Sequence, residues 1–419
     1  MIPPASRSPL IWIALTGLVF GGRLCTTDVL AQLQVAQSFT GARPFLTASD
    51  GWTVEGVDGR SYVPHGIGYS VLLLPAALAG LAAGEAVARV STALTCAALS
   101  ACLFAVWRSL CVSVNGAPPP AWKALAVMTG GMALVYARLP FDVTAAALLC
   151  TASLCAASSG RDLAAGFLIG AALLVRLDSA VFLPSLVYGW RRGARLVPGV
   201  ACALALIAAA NLYRFGSILE DGHSQDPAMA LEPGLAGLAG LLASPGKGLV
   251  WFAPIVLPAA SRHRGWRLAA PLAFGLLLHS MLHDWTGGTG WGPRFLFPAL
   301  PAFLVPLAAP RREGGLFGLT AAWGVILTVA AVWSNPSVIE RSLGADAFED
   351  PSRQAVIWQP SRSPLLHSIS SIGSGTPDLF CLGALAGSRS AGTAACIMQG
   401  AWVLGALALA GAHRRGGPG

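Results

Sequence analysis

Charge is what this sequence has least of. Acidic and basic residues together are 11% of its 419 residues, against about 25% in a soluble globular chain. With 55% hydrophobic residues, that scarcity excludes an ordinary soluble enzyme and a disordered chain. Lysine is almost missing. Lys123 and Lys247 are the two in the chain, so arginine carries nearly all of the positive charge behind the net +8. A phosphate site here would use planar forks of donors rather than point charges. No basic stripe lies on a soluble stretch, so nucleic acid is not an expected partner.

Other absences narrow the chemistry. The nine cysteines show no metal-binding or redox spacing. Cys96, Cys102, Cys150, Cys155 and Cys202 lie inside apolar runs, where cysteine behaves as a small hydrophobe. Cys25 and Cys381 have no partner that spacing can assign. There is no phosphate loop, dinucleotide glycine fingerprint, HExxH or GxSxG. Chemistry on soluble nucleotides is therefore unsupported. A substrate already dissolved in the membrane fits better.

What the chain has is long apolar runs. A spanning helix needs about 20 apolar residues. Runs stand near 9–24, 86–107, 122–137, 143–158, 163–175, 179–190, 196–213, 248–261, 268–282, 295–309, 316–334 and 392–412. The expected fold is all-α: a polytopic integral membrane protein with about 12 transmembrane helices and an outer first loop of interfacial helices. It reads as one membrane domain over 1–419. Within it, 25–85 is the first outer loop, with interfacial or re-entrant helices, and 335–391 is an outer loop before the last span. Arg7 followed by Leu10 to Phe20 resembles a signal peptide, but Leu24 before Cys25 makes a poor cleavage site. The first helix is read as uncleaved.

Arginine in short loops sets the orientation. Arg191, Arg192 and Arg195, then Arg262, Arg264 and Arg267, then Arg311 and Arg312, and finally Arg414 and Arg415 fall on one side with Arg7. That side is the cytoplasm. The opposite side receives 25–65, 214–247, 283–294 and 335–391, which hold 14 of the 19 acidic residues. The run 66–84 decides the rest. If it spans, Arg176 and Asp178 are buried at mid-membrane, which is costly. If it is re-entrant and 163–190 breaks at Arg176-Leu177-Asp178, then Arg138, Asp142, Arg176 and Asp178 all reach the outer face. The second reading is preferred.

Four segments can carry chemistry. Thr26-Thr27-Asp28 directly follows the first span and opens an amphipathic stretch in which Val29, Leu30, Leu33, Ala36 and Phe39 share a face. Asp28 is either a helix cap or a carboxylate suited to take a proton from a hydroxyl at the membrane surface. DGRSYVPHGIGYSVLLLP, 58–75, brings Tyr62 and His65 to the start of an apolar segment. NLYRFGS and SPGKGLVWFAP place Arg214 and Lys247 at the two ends of one loop, where they either snorkel or approach a lipid phosphate. HDWTGGTGWGPRFLFPALP, 283–301, joins Trp285, Trp291 and Arg294 to a run of glycines. The indoles fit an aromatic belt or a sugar-stacking surface.

Taken in order, these segments resemble the lipid-carrier-dependent membrane glycosyltransferases of the GT-C class, over about residues 10 to 310. That class keeps an Asp just after the first span, as Asp28 stands here. It also has a Tyr-Pro-containing approach to an apolar helix, like SYVPHGIGYSVLLLP, and a basic residue between two short helices, like Arg176 in GAALLVRLDSAVFLP. The resemblance implies a polyprenyl-phosphate-linked sugar donor and a glycan, lipid or protein hydroxyl as acceptor. It places the site at the outer face of a bacterial inner membrane. Asp28 would be general base, with Arg176 first and Arg294 and Arg214 next on the leaving phosphate. Several members carry paired acids in the first loop. Here Val29 follows Asp28, so a divalent metal is not supported and no cofactor is expected. A transporter or flippase for a lipid-linked sugar remains the alternative, since it needs the arginines and groove but no base.

Overall fold

The structure is a computed structural model. It describes residues 7–22, 26–49, 51, 53–187, 190–225, 230–231, 234–335, 338–339, 342–343, 357–374, 377–380, 382 and 389–412. Cys25, Cys381, Asp226, Arg414 and Arg415 lie outside them.

The chain is helical almost throughout. α1 (Ser8–Leu18) leads to α2 (Thr27–Ser38). A small antiparallel hairpin follows, β1 (Val54–Glu55) with β2 (Ser61–Tyr62), in the register Val54 to Tyr62. α3 (Ile67–Leu72) and α4 (Leu74–Ala83) come next, then α5 (Glu85–Asn115). Gly84, at φ +94°, makes the reversal between α4 and α5, a conformation open to glycine at little steric cost. α6 (Ala121–Gly130), α7 (Ala133–Arg138), α8 (Asp142–Ser158) and α9 (Asp162–Val175) continue the bundle. Then come a 3-10 turn (Leu177–Phe182), α10 (Leu183–Leu186) and α11 (Trp190–Phe215). The later elements are α12 (Leu235–Ala243), α13 (Leu249–Phe252), α14 (Val256–Ala260), α15 (Ala270–Ser280), α16 (Leu300–Leu304), α17 (Gly315–Trp333), α18 (Pro364–Ser370) and α19 (Arg389–Ala412).

Among the described residues, four helices are long and apolar enough to cross a membrane unaided: Glu85–Asn115, Arg192–Phe215, Gly315–Trp333 and Thr393–Ala410. The other apolar runs make shorter or broken helices. The expected helix at 122–137 breaks where Met132 takes φ +65°. The run 248–261 breaks between α13 and α14 at Ala253-Pro254. The run 295–309 is two 3-10 segments around α16, with Pro298, Pro301 and Pro306 inside. Proline removes a backbone donor and clashes with the preceding turn. Such backbone is tolerated at membrane depth where protein surrounds it, and Leu296, Phe297, Leu300 and Leu304 are all buried.

α5 fixes the two faces. Its 31 residues span about 46 Å at 1.5 Å each. At its start Glu85 accepts a hydrogen bond from Gln37 of α2, 3.0 Å. At its end Asn115 donates to the Val305 carbonyl, 3.0 Å. The segment 66–83 thus begins and ends at the α2 face: Gly66 and Gly68 sit against the Leu174 and Val175 backbone, and Glu85 touches Gln37. Basic loops gather at the other face. Lys123, fully buried, binds Glu313 and the Ala309 carbonyl, and Arg262 binds Glu313 at 3.0 Å. Arg192 lies 3.0 Å from Asp162.

α2 is more enclosed than an amphipathic helix on a leaflet. Val29, Ala31, Leu33, Val35 and Ala36 are all buried, as are Gln32 and Gln34. Their amide oxygens accept bonds inside, that of Gln32 from the Ser70 hydroxyl at 2.5 Å and that of Gln34 from the Ser49 backbone amide at 2.7 Å, while the buried Gln32 Nε2 has no partner among the described residues. The described part of 335–391 is packed, not free. Ile357 accepts from the Gly246 amide and Ser363 donates to the Pro245 carbonyl.

Candidate active site

A cavity of about 840 Å³ opens at the α2 face, a size that holds a drug-sized ligand. Asp28, His65, Asp142, Arg176, Arg214 and Arg294 all line it. Asp28 is not a cap. Thr26 holds the N-cap position, with extended backbone and no side-chain cap bond. Asp28 is the second helical residue, where the helix dipole favours a carboxylate. Its Oδ2 lies 3.4 Å from Nη1 of Arg294, and its side chain is 32% exposed. Burial alone would raise the Asp28 carboxyl. The Arg294 guanidinium, with His65 and Arg176 behind it, outweighs burial and holds the group below its usual value. For His65 burial wins: it lowers the imidazole although Asp28 and Asp142 pull the other way. The neighbouring Asp284 is pushed up by burial.

Arg176 closes α9 in extended backbone, φ −152°, and its guanidinium is already occupied. Nη1 lies 3.1 Å from Asp142 and Nη2 2.7 Å from Asp178. Its plane sits 5.0 Å from the Phe295 ring centre. Arg294 lies 5.3 Å from the same ring and 5.0 Å from Phe141. On Phe295 also stacks His279, with centroids 4.8 Å apart. One phenyl ring thus collects two guanidiniums and an imidazole. Arg294 is the less committed arginine. Its carboxylate contact is long, and its buried Nε has no partner among the described residues.

The other expected residues stand elsewhere or do other work. Arg214 lines the cavity but donates to the Val63 carbonyl at 2.6 Å and to Asn211 at 2.8 Å, pinning the chain before His65. Lys247 is fully buried, outside the cavity lining, and donates to the Gly288 and Gly290 carbonyls at 2.8 and 2.7 Å. Trp285 packs on Gly240, and Trp291 is completely buried edge-on to Phe252 at 5.1 Å. Neither indole is among the lining residues, so neither offers a sugar-stacking surface there. The loop's glycines are required by backbone shape: Gly287 and Gly288 between the indoles and Gly292 after them have φ of +72°, +63° and +58°. Tyr62 is buried behind the hairpin and donates to Asp58 at 2.9 Å, which with burial pushes its phenol up to about 12. Arg138 lies away from the cavity and ties Asp378 to the end of α17, through 2.7 Å to the carboxylate and 2.5 Å to the Ala331 carbonyl.

Asp178, His279, Asp284 and Phe295 are cavity residues that the motif reading left out of its site. Three of them adjoin motif residues, Asp178 two after Arg176, Asp284 before Trp285 and Phe295 after Arg294. His279, inside an apolar run, carries no signal of its own. Among the described residues, no group of three or more His, Cys, Asp or Glu is placed to hold a metal ion.

No family model matches the chain, and no curated protein is similar to it. Two solved structures match the chain. ArnT from Cupriavidus metallidurans bound to undecaprenyl phosphate matches with TM-score 0.55 and 13% identity, over 97% of this chain and 76% of that one. The apo state of the same protein gives 0.48 and 15%, over 87% and 72%. The first likeness shows the fold alone, the polytopic helical arrangement that ArnT has.

Proposed function

We propose that the chain is a membrane glycosyltransferase. It moves a sugar from a polyprenyl-phosphate carrier to a hydroxyl of a lipid, glycan or protein, at the outer face of a bacterial inner membrane. The observation that carries this reading is the Asp28–Arg294 pair inside a cavity at the face opposite the basic loops. A base for the acceptor and a cation for the leaving phosphate stand side by side. A transporter needs no such base.

In the reaction Asp28 accepts the proton of the acceptor hydroxyl as its oxygen attacks the anomeric carbon. The bond from that carbon to the phosphate oxygen breaks, and the polyprenyl phosphate leaves with the electron pair. Displacement in line inverts the anomeric centre. Arg294 exchanges its long contact with Asp28 for the phosphate. Arg176, held by two carboxylates, adds its field and orients the ring of Phe295. Preorganised donors of this kind stabilise developing charge by several kcal/mol in a dry site. Ile207, Leu278 and Leu282 give the cavity an apolar wall suited to the first prenyl units.

The test is genetic and chemical. Deleting the gene should remove one sugar from an envelope glycolipid or glycan and leave its polyprenyl-phosphate donor unconsumed. Wild type should restore the sugar, and Asp28→Asn should not. Unchanged donor pools in the deletion strain would overturn the carrier reading.

A further inference from the structure

The proposed transfer moves a proton as well as a sugar. The acceptor hydroxyl loses one, and the departing phosphate monoester, with a second pKa of about 6, is basic enough to take one up. Asp28 serves the first event. At the phosphate end an arginine cannot serve the second, because guanidinium keeps its protons. Beside those arginines the structure places a side chain that can, His279.

His279 ends α15 and is 4% exposed. Its Nε2 lies 3.4 Å from Asp178 Oδ2. Its ring is stacked on Phe295, whose ring also carries Arg176 and Arg294. Its other nitrogen, Nδ1, is buried and has no partner among the described residues, while the residue lines the cavity. A buried polar atom without a partner is unusual and calls for an explanation. A carboxylate on Nε2 fixes the orientation of the ring and leaves Nδ1 as the nitrogen open to whatever occupies the cavity. The charged groups facing His279 are Asp178, with Arg176 and Asp142 beyond it, Arg294 across Phe295, and Asp284 from the loop after its own helix. α12, which packs on α15, brings no charged residue.

We propose that His279, oriented by Asp178, is the proton donor to the phosphate leaving group. The inference rests on the carrier reading above. As the sugar–oxygen bond breaks, Nδ1–H gives its proton to a phosphate oxygen and the imidazole becomes neutral, keeping Nε2–H on Asp178. The proton taken by Asp28 leaves through water, and a second returns to Nδ1, so the acceptor's proton is matched by the one on the phosphate. No other reactant is consumed.

The experiment needs no knowledge of the sugar. Undecaprenyl phosphate, the product side of the reaction, is titrated into the purified full chain in nanodiscs. Binding and the phosphorus-31 shift are followed from pH 5.5 to 8.5. Wild type should bind it with a titration midpoint displaced from that of the free lipid in the same nanodiscs. In His279→Gln, which keeps a donor near Asp178 but empties the Nδ1 position, affinity at pH 6 should fall about tenfold or more, the scale of one hydrogen bond to a charged group. The midpoint should return toward the free value. Asp178→Asn should give the same midpoint with a smaller loss. Thermal unfolding of each variant identifies those that fold, and His279→Asn serves in place of a variant that does not. No binding to wild type overturns the carrier reading and this inference with it. Equal affinity and an unchanged midpoint in folded His279→Gln overturn the role of His279 alone.

Discussion

The pairing of Asp28 with Arg294 fixes the charge of the carboxylate and, in the proposed reaction, its strength as a base. A carboxyl held low stays ionised as the pH falls, so it remains competent as a base well into acid. The sign runs against stability at the far end: a depressed carboxyl stabilises the fold above its unfolded value, and that contribution is lost as pH drops through the folded one. Asp28→Asn should lower transfer by about 10²–10⁴-fold, the usual worth of a general base, with folding intact. Turnover by purified protein at equal folded amounts measures it. In Arg294→Gln the burial of Asp28 goes unopposed by its nearest cation, and the acid limb of the pH–rate profile should move upward. A limb that stays put would show that Arg294 does not set the charge of Asp28. Lys247→Met removes the donor to two loop carbonyls, and each orphaned buried acceptor costs ~1–3 kcal/mol. Its signature should be a lowered unfolding temperature. Residue identity alone could not separate these roles. A lysine at a loop end reads alike whether it meets a phosphate or a carbonyl. His279 was silent because a histidine inside an apolar run states nothing about the loop that will face it.

At the scale of elements, punctuation was legible and length was not. The break at Arg176 follows from a charge pair that a membrane would not accept mid-span, and α9 does end at Val175. The prolines that fragment 295–309 were visible too. What they do together depends on the partners that take over the freed backbone groups, and periodicity does not show those. A close helix contact is equally hidden. Gly166 and Gly170 of α9 meet Gly199 of α11, where an added Cβ at 199 would sit 2.3 Å from the Gly166 backbone. Overpacking typically costs ~1–3 kcal/mol, so Gly199→Leu should unfold at lower temperature. Gly405→Leu, at a glycine with open space around it, should not. Equal losses would mean that the contact contributes nothing special.

For the whole molecule, arginine distribution and the run of α5 agree on two faces. Asp162 and Arg192 stand together, as do Lys123, Arg262 and Glu313, and Asp28, Arg176 and Arg294 stand together elsewhere. The expected outcome is that single cysteines at 160 and 193, in a background without native cysteine, resist an impermeant reagent applied to intact cells. A cysteine at 221 should react. Labelling at 193 from outside would reverse the orientation and put the cavity in the cytoplasm. The bundle was legible because membranes enforce apolar length. The cavity was legible in part, through residues next to motifs. Its walls come from segments far apart in the chain, and a sequence does not state which of them meet.

That last property has a consequence in time. Asp28 and Arg294 are 266 residues apart. At about 5–20 residues per second, the ribosome delivers the second roughly 15 to 50 s after the first. Through that interval the nascent chain has a finished first loop and no counter-ion for its carboxylate. The Phe295 ring that gathers both guanidiniums arrives one residue later still. A half-made copy therefore holds Asp28 without its guanidinium partner, and the proposed chemistry waits for it. The cavity becomes complete as a unit, when α15 and the segment after it have joined helices inserted long before.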